Sequence, residues 1–250
     1  RKVLDTLPYA LTSSQETALT EIKTDMSSDD RMMRLLQGDV GSGKTVVALM
    51  VMLGAVEAGY QTAIMAPTEI LARQHFETIE PLAKAAGLEV VLLTGRNKGK
   101  PRDAILEKLA SCAAHIAIVT HALFQDDVEF ENLGLAVIDE QHRFGVHQRL
   151  TLAAKGSAVD MLVMTATPIP RTLMLTAYGD MDVSRLLEKP AGRKPIDTRV
   201  LPLERLDNVV DAIRRTLNEG SKVFWVCPLV EESEVIDAAA AEERYDHLKH

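Results

Sequence analysis

"LLQGDVGSGKTVVA" occupies residues 35–48 and decides which kind of fold the chain adopts. A short apolar run precedes a glycine-rich loop, and a longer apolar run follows it. The loop fits G-x-x-x-x-G-K-[ST], a pattern whose backbone N–H groups surround the phosphates of a nucleotide at the start of a helix. The sequence therefore predicts a phosphate-binding cradle formed by Gly38, Asp39, Val40, Gly41, Ser42, Gly43, Lys44 and Thr45.

Two side chains of this loop have separate expected roles. Lys44 brings an ammonium group to the β- and γ-phosphates, and the Thr45 hydroxyl supplies one ligand to Mg²⁺. A glycine-rich turn that matches the pattern by chance is the alternative interpretation. The strand-like run before the loop and the helix-like run after it favour nucleotide binding.

Outward from this loop, short apolar runs alternate with helix-length segments. This alternation predicts βαβ units and an α/β fold, with a mostly parallel sheet covered by helices on both faces. The predicted strands are Met33–Gln37, Thr62–Ala66, Val90–Leu93, Ile116–Thr120, Leu135–Ile138 and Met161–Thr165. The predicted helices between them are Thr45–Ala58, Glu69–Ala86 and Pro101–Ser111.

Composition places few limits on the binding partner. The net charge is −8, which disfavours nucleic acid, but residues 231–250 alone hold seven acids and two bases. No apolar run is long enough to span a bilayer. The two cysteines, Cys112 and Cys227, lie in apolar stretches and have no zinc spacing, so we expect buried, reduced thiols in a cytoplasmic protein.

"VIDEQHRFGV" follows the pattern of a buried strand that ends in charged residues. Asp139 lies at the carboxyl end of the strand, which is the edge where open α/β sheets bind ligands. Asp139 can hold Mg²⁺ through water, and Glu140 can orient or deprotonate the attacking water. The alternative is a solvated acidic strand end.

Three classes of phosphate-loop protein compete at this point. A small-molecule kinase needs an arginine-rich lid, and a GTPase needs N-K-x-D and D-x-x-G; none of these is present in the sequence. A motor ATPase that acts on nucleic acid is the third class. A phosphate-loop protein that is not a helicase stays open as an alternative.

Eight stretches, in order and spacing, resemble the motifs of superfamily 2 helicases. They are "LPYALTSSQ", "LLQGDVGSGKTVVA", "APTEILARQH", "LLTG" with "THALF", "DEQHRFGVHQR", "TATPIPRT" and "VFWVCPLVEES". The resemblance implies two RecA-like motor domains that use ATP and Mg²⁺. It is strongest to the members that translocate on double-stranded DNA, remodel stalled forks and migrate Holliday junctions. The transcription-repair coupling factor is the runner-up, although its "DEQH" position normally reads Asp-Glu-Glu.

The resemblance also implies roles for single residues. Gln15 would read adenine; on its own it would be a solvated residue in the first turn of a capped helix. Gln141 and His142 would relay the state of the γ-phosphate to the hydroxyls of Thr165 and Thr167, whose strand should neighbour Asp139. The expected DNA phosphate contacts are Thr68, Arg73, Thr94, Gly95, Arg96, Thr120 and His121.

Two further features concern DNA. "GRNKGKPR", residues 95–102, holds four basic residues and no acid, and it is the best basic patch in the chain; a solvated loop is the alternative. Arg171 in "IPRT" could contact DNA or brace a domain interface, and the sequence does not choose between these roles. Branched double-stranded DNA is the implied partner of a monomeric protein.

The prolines and glycine of "EKPAGRKPIDTRV" indicate a linker. We expect a first motor domain at residues 1–188, a linker at 189–204 and the start of a second motor domain at 205–250. A helix around Leu206–Leu217 and a strand at "KVFWVCP" would open that second domain. The later motifs, including the arginine finger, would lie beyond His250, so the chain alone would bind ATP weakly and hydrolyse it poorly.

Overall fold

The computed structural model describes residues 10–120, 127–139, 159–167, 181–188 and 196–227, together with Tyr245. The chain divides into two compact units, residues 1–193 and 194–250. The first unit contains the sheet and all of the described residues that were predicted to bind ligands.

The first unit is built on a seven-stranded sheet in which every neighbouring pair of strands is parallel. The strand order is β3-β4-β2-β5-β6-β1-β7. The central strands are buried on both faces, because helices cover both sides of the sheet. The strands are β1 (Met33–Gly38), β2 (Gln61–Met65), β3 (Val90–Leu93), β4 (Ile116–Val119), β5 (Leu133–Asp139), β6 (Asp160–Thr165) and β7 (Asp182–Leu186).

Four described helices belong to this unit: α1 (Ser13–Met26), α2 (Lys44–Glu57), α3 (Glu69–Ala85) and α4 (Lys100–Ala110). Helix α2 is apolar along most of its length and is largely buried in the main core. Helix α3 buries Ala72, His75, Ile79 and Ala83, whose spacing of three and four residues forms one stripe along the helix. That stripe faces the sheet.

The six predicted strands and three predicted helices of this unit are confirmed, with ends that shift by one or two residues. Strand β7 was not predicted from the sequence. This strand lies at the edge of the sheet beside β1 and contains Asp182, Ser184 and Arg185. An edge strand needs no continuous apolar run, because only part of its surface is buried.

The second unit begins with a 3₁₀ turn, Leu203–Arg205, followed by helix α5 (Leu206–Asn218). The predicted helix is confirmed, but the predicted strand at "KVFWVCP" is wrong. Residues 221–227 have no regular secondary structure, and Phe224 is 88% exposed. A strand that opens a domain buries at least one face against the rest of the fold, whereas Phe224 and Val226 are both exposed.

Two smaller expectations can be compared with the structure. Across the described ranges, no helix is both long and apolar enough to cross a membrane. Cys112 and Cys227 are free thiols, but both are half-buried rather than buried as predicted. Cys112 lies in the turn after α4, and its φ of 56° is in the left-handed region. A turn residue is covered from fewer directions than a strand residue, which explains its partial exposure.

Candidate functional site

The carboxyl ends of β5, β6 and β1 lie side by side, and together we call them the nucleotide half of the sheet edge. Asp139 on β5 pairs in register with Met164 on β6, and Gln37 on β1 pairs with Thr165. Strand β6 thus lies between the strand that carries Asp139 and the strand that leads into the phosphate loop. The prediction that the "TAT" strand neighbours Asp139 is confirmed.

The phosphate loop leaves β1 at Gly38 and enters α2 at Lys44. A Cβ atom at Gly38 would come within 2.5 Å of Ser42 Oγ and 2.9 Å of Leu186 Cβ, so there is no room for a larger side chain between the loop and β7. Gly43 is the N-cap of α2, with φ of 89°, and no side chain caps this helix. No side chain therefore competes with a phosphate oxygen at this helix start, although the Val46 and Val47 N–H groups already donate to the Gly43 oxygen.

The polar groups of the loop fit a phosphate ligand. Lys44 Nζ donates to the backbone oxygens of Gly38 at 2.6 Å and Asp39 at 3.1 Å, so the ammonium lies over the loop. Ser42 Oγ is buried, and no described group forms a hydrogen bond with it. Thr45 follows in the first turn of α2 and is half-buried. A cation, a hydroxyl and a helix N-terminus together suit an anionic, multiply charged ligand.

Gln15 lies against this loop rather than in solvent, so the alternative of a solvated glutamine is wrong. It is 2% exposed, and its Nε2 donates to the backbone oxygen of Ser42 at 2.8 Å. Its Oε1 accepts from the Thr12 N–H at 2.9 Å and completes a capping box at the start of α1. The capped helix that was expected is present, and the glutamine joins it to the phosphate loop.

Asp139 forms a hydrogen bond that the sequence analysis did not predict. His75 Nε2 lies 2.7 Å from Asp139 Oδ2, and both side chains are largely buried. His75 is on the buried stripe of α3, 8% exposed. A polar residue among apolar ones on such a stripe needs a buried partner, which is the signal that could have pointed to it.

The Thr165 and Thr167 hydroxyls lie 3.0 Å apart, so they share one side of the chain as expected. Gln37 Nε2 donates to the Thr167 backbone oxygen at 3.3 Å, which connects this segment to β1. Several predicted site residues lie outside the described residues, and their predicted roles stay predictions: Glu140, Gln141, His142, His121 and Arg171.

The carboxyl ends of β3, β4 and β2 form the other part of the same edge, which we call the DNA half because the predicted DNA contacts follow these strands. Thr68, after β2, is exposed and caps α3, where its hydroxyl accepts from the Leu71 N–H at 3.3 Å. Gly95 is exposed after β3, and Thr120 follows β4. The topology thus brings these predicted contacts together on three adjacent strands.

One carboxylate pairs with both of the arginines that were predicted to contact DNA. Glu69, in the first turn of α3, lies 2.9 Å from Arg73 Nη2 and 3.0 Å from Arg96 Nε. Arg73 is one helical turn further along α3, whereas Arg96 comes from the loop after β3. Both guanidinium groups are exposed, so these ion pairs are in contact with solvent.

Thr94 and Arg102 differ from their expected surroundings. Thr94 is 1% exposed, and its N–H and hydroxyl both donate to Asn97 Oδ1. It fixes the turn that presents Gly95 and Arg96. Arg102 pairs with Asp127 at 2.8 Å, so the basic patch at residues 95–102 is smaller in effect than its sequence suggests.

No group of three or more His, Cys, Asp or Glu in the described ranges could hold a metal ion. A phosphate-loop Mg²⁺ site does not require one, because the nucleotide and water supply most ligands. A cleft of about 720 Å³ opens at the opposite, amino-terminal edge of the sheet, beside Asp160 and Asn132. It contains none of the predicted site residues.

The profile of the DEAD/DEAH box helicase family matches residues 12–176. ATP-dependent DNA helicase RecG of Streptococcus pneumoniae is 56% identical over 231 residues, which cover 92% of this chain and 34% of that protein. RecG of Escherichia coli K12 is 47% identical over 253 residues, which cover 99% of this chain and 36% of that protein. The chain thus spans about a third of the length of these relatives.

Solved structures agree with these matches. A structure of RecG bound to a three-way DNA junction has a TM-score of 0.76 and 43% identity, and the match covers 88% of this chain and 29% of that chain. A structure of the DEAD-box helicase Mss116 with single-stranded RNA and UDP-BeF has a TM-score of 0.66 at 20% identity, which shows the fold alone. The predicted RecA-like fold is confirmed, and the predicted resemblance to helicases is confirmed as a resemblance to RecG.

Proposed function

Because the chain belongs to the DEAD/DEAH box helicase family, we propose that it is the ATP-binding motor segment of a DNA helicase that remodels stalled replication forks and branch-migrates Holliday junctions. The observation that carries this proposal is the division of one sheet edge. The phosphate loop, Asp139 and Thr165 follow three adjacent strands, and the predicted DNA contacts follow the next three. The proposed ATP site and the proposed DNA contacts thus lie next to each other along one edge of the sheet.

In the nucleotide half, Lys44 and the backbone N–H groups from Gly38 to Thr45 hold the phosphates of ATP. Thr45 and, through water, Asp139 hold Mg²⁺, which neutralises phosphate charge when bound. Glu140 orients the attacking water. Gln141 and His142 report the γ-phosphate to Thr165 and Thr167, and Gln15 reads the adenine base.

In the DNA half, exposed hydroxyls, backbone N–H groups and arginines contact phosphates and read no bases, which suits a motor that passes over any sequence. Thr94 serves by fixing the turn before Arg96. The similarity to RecG solved in complex with a three-way DNA junction supports branched DNA as the partner. We further propose that the protein is monomeric, acts in the cytoplasm and serves recombination and repair. The proposed phosphate contacts are Thr68, Arg73, Gly95, Arg96, Thr120 and His121.

The test is ATP turnover by a full-length protein that carries this chain, with forked DNA, plain duplex, RNA or no nucleic acid. We expect forked DNA to stimulate turnover most and RNA not to stimulate it. Lys44→Ala is the control, and it should lower kcat on the order of 10²–10³-fold, because it removes the charge opposite the phosphates.

Stimulation by RNA alone would overturn the proposal. Turnover that rises only when RNA polymerase is present would overturn it in favour of a transcription-coupled translocase. Equal turnover under all four conditions would show that the chain is not part of a nucleic-acid motor.

A further inference from the structure

We propose that His75 is a positioning residue for Asp139, and that α3 thereby connects the DNA half of the sheet edge to the nucleotide half. This inference rests on the proposed function, because it takes Asp139 as the carboxylate that faces Mg²⁺. It assigns a role to a side chain that none of the predicted sites includes.

The first observation is the geometry of the pair. A carboxylate accepts hydrogen bonds, so we assign the proton to His75 Nε2. The Nε2–H group then donates a hydrogen bond to Asp139 Oδ2, with 2.7 Å between the two heavy atoms. Only 9% of the His75 side chain and 12% of the Asp139 side chain are exposed, so water competes little for this bond. The bond fixes one oxygen of the carboxylate and hence the direction of the other. Groups that hold a metal-facing carboxylate in this way set how well the metal binds.

The second observation is the position of His75 on α3. Thr68 caps the helix in the DNA half, and Glu69 in its first turn holds Arg73 and Arg96. His75 lies seven residues after the cap, about 10 Å along the axis, because each helical residue rises about 1.5 Å. Two helical turns therefore separate Thr68 from the hydrogen bond to Asp139, and Arg73 lies between them on the same helix.

The third observation is that these two turns are held as one piece. Ala72 and Ile79 flank His75 on the stripe that packs against the sheet, and both are fully buried. Because the side chains on both sides of His75 are tightly packed against the sheet, a shift of the first turn of α3 moves His75 as well. A phosphate that displaces Glu69 from its arginines thus acts on the same rigid segment that holds Asp139.

The primary test measures the affinity of the chain for a fluorescent ADP analogue, with Mg²⁺ and with EDTA. His75→Leu removes the donor and keeps a similar volume. We expect the affinity in Mg²⁺ to fall about 10-fold or more, because the loss of a residue that hydrogen-bonds a metal ligand typically weakens metal binding by about this factor. The affinity in EDTA should stay unchanged. His75→Gln places an amide N–H close to the position of Nε2 and should recover to within about 3-fold.

Gln74→Leu is the matched control, since Gln74 is the exposed neighbour on the same helix, and it should leave both affinities unchanged. An equal loss in Mg²⁺ and in EDTA would overturn the proposal, because a general packing defect has no reason to depend on the metal. No loss in either condition would also overturn it. If His75→Leu fails to fold, His75→Asn replaces it, because its shorter amide reaches only the position of Nδ1; equal Mg²⁺-dependent affinities of the Asn and Gln variants would then overturn the proposal.

The second test measures coupling in a full-length protein that carries this chain. His75→Leu should leave the affinity for forked DNA unchanged and lower the ratio of DNA-stimulated to basal ATP turnover about 5-fold or more. An unchanged ratio would overturn the connection through α3. If the unsubstituted protein shows no stimulation by DNA, the proposed motor function fails, whereas the Mg²⁺-dependent affinities still decide whether His75 positions Asp139.

Discussion

The two halves of the sheet edge are built from the same kind of strand end but hold their side chains by different means. In the nucleotide half, Gln15, Thr165 and His75 are buried and form hydrogen bonds with defined partners. In the DNA half, Arg73 and Arg96 are exposed and share the carboxylate of Glu69. The nucleotide half is thus held mainly by buried hydrogen bonds, whereas the arginines of the DNA half are held at the surface by ion pairs.

This difference fits the role proposed for each half. Buried hydrogen bonds cost about 1–3 kcal/mol when one partner is left unpaired, so they keep a site in one geometry. Exposed ion pairs contribute only about 0–1 kcal/mol, so a DNA phosphate can replace the carboxylate with little loss. The proposed hydrolysis site would need the first property, and the proposed DNA-binding surface, which must bind and release phosphates repeatedly, would need the second.

The largest effect is expected from Gly43→Ala. A Cβ atom here would lie 2.2 Å from Gln15 Nε2, so the glutamine must leave Ser42, and the left-handed φ of 89° adds strain. We expect a loss of about 2–4 kcal/mol in the free energy of unfolding, measured by denaturant titration, and at least 10-fold weaker binding of an ADP analogue.

Gly59→Ala is the matched control, because Gly59 has the same φ of 89° and no neighbour within 4 Å. It should cost roughly 1–2 kcal/mol from strain alone and leave nucleotide binding unchanged. Equal losses in the two variants would show that the nucleotide half is not held by the contact with Gln15.

A smaller effect is expected from Arg96→Ala in the DNA half. Removing one phosphate contact should weaken binding to forked DNA about 3- to 10-fold and reduce the slope of log affinity against log salt by about 1, without changing nucleotide binding. The measurement is fluorescence anisotropy at several salt concentrations. Lys84→Ala, an exposed lysine at the far end of α3, should leave the slope unchanged. A change in nucleotide affinity in Arg96→Ala would mean that the two halves do not differ in the way described.

Glu69→Gln should have a weaker and opposite effect. The substitution removes the charge that competes with DNA for Arg73 and Arg96, so affinity for forked DNA should rise about 2- to 3-fold at low salt. The free energy of unfolding should change by less than about 1 kcal/mol, because both ion pairs are exposed. Glu77→Gln on the exposed face of the same helix is the control. Weaker DNA binding in Glu69→Gln would show that the ion pairs hold the arginines in place rather than compete with DNA.

The smallest effect is expected at the opposite edge of the sheet. Burial raises the pKa of Asp160, although its Oδ1 accepts from the Met32 N–H. Folding raises the pKa of this carboxyl because its charged form is disfavoured in the folded protein. The free energy of unfolding therefore falls as the pH rises from the pKa of the unfolded state to the higher pKa of the folded state. Asp160→Asn, which keeps the acceptor, should raise Tm by about 1–2 °C at pH 7 and give no gain near pH 3. Altered nucleotide or DNA binding would contradict the confinement of both sites to the carboxyl edge.

The sequence was most informative where chemistry depends on neighbouring residues in the chain. The phosphate loop, the six apolar strands and the position of Thr165 beside Asp139 were predictable, because each depends on a local pattern or on the order of strands. The pairs His75–Asp139 and Glu69–Arg96 join residues far apart in sequence, and no local periodicity specifies them. Strand β7 was missed because it is polar and lies at an edge, whereas the segment at residues 221–227 has apolar, strand-like residues but no regular secondary structure.

Gln15 has a consequence for which nucleobase the chain would accept. A 180° rotation of its amide would bring an N–H against the Thr12 N–H and a carbonyl oxygen against that of Ser42, so the order of donor and acceptor is locked. The Gln15 amide oxygen has a second lone pair, and its NH₂ group has a second N–H. These two remaining positions offer one acceptor and one donor in a fixed order. Adenine offers N6–H₂ and N7 as the matching donor and acceptor, whereas guanine offers two acceptors, O6 and N7. The capping box that starts α1 thus fixes the orientation of the Gln15 amide, and under the proposed adenine-reading role this fixed orientation would favour adenine over guanine.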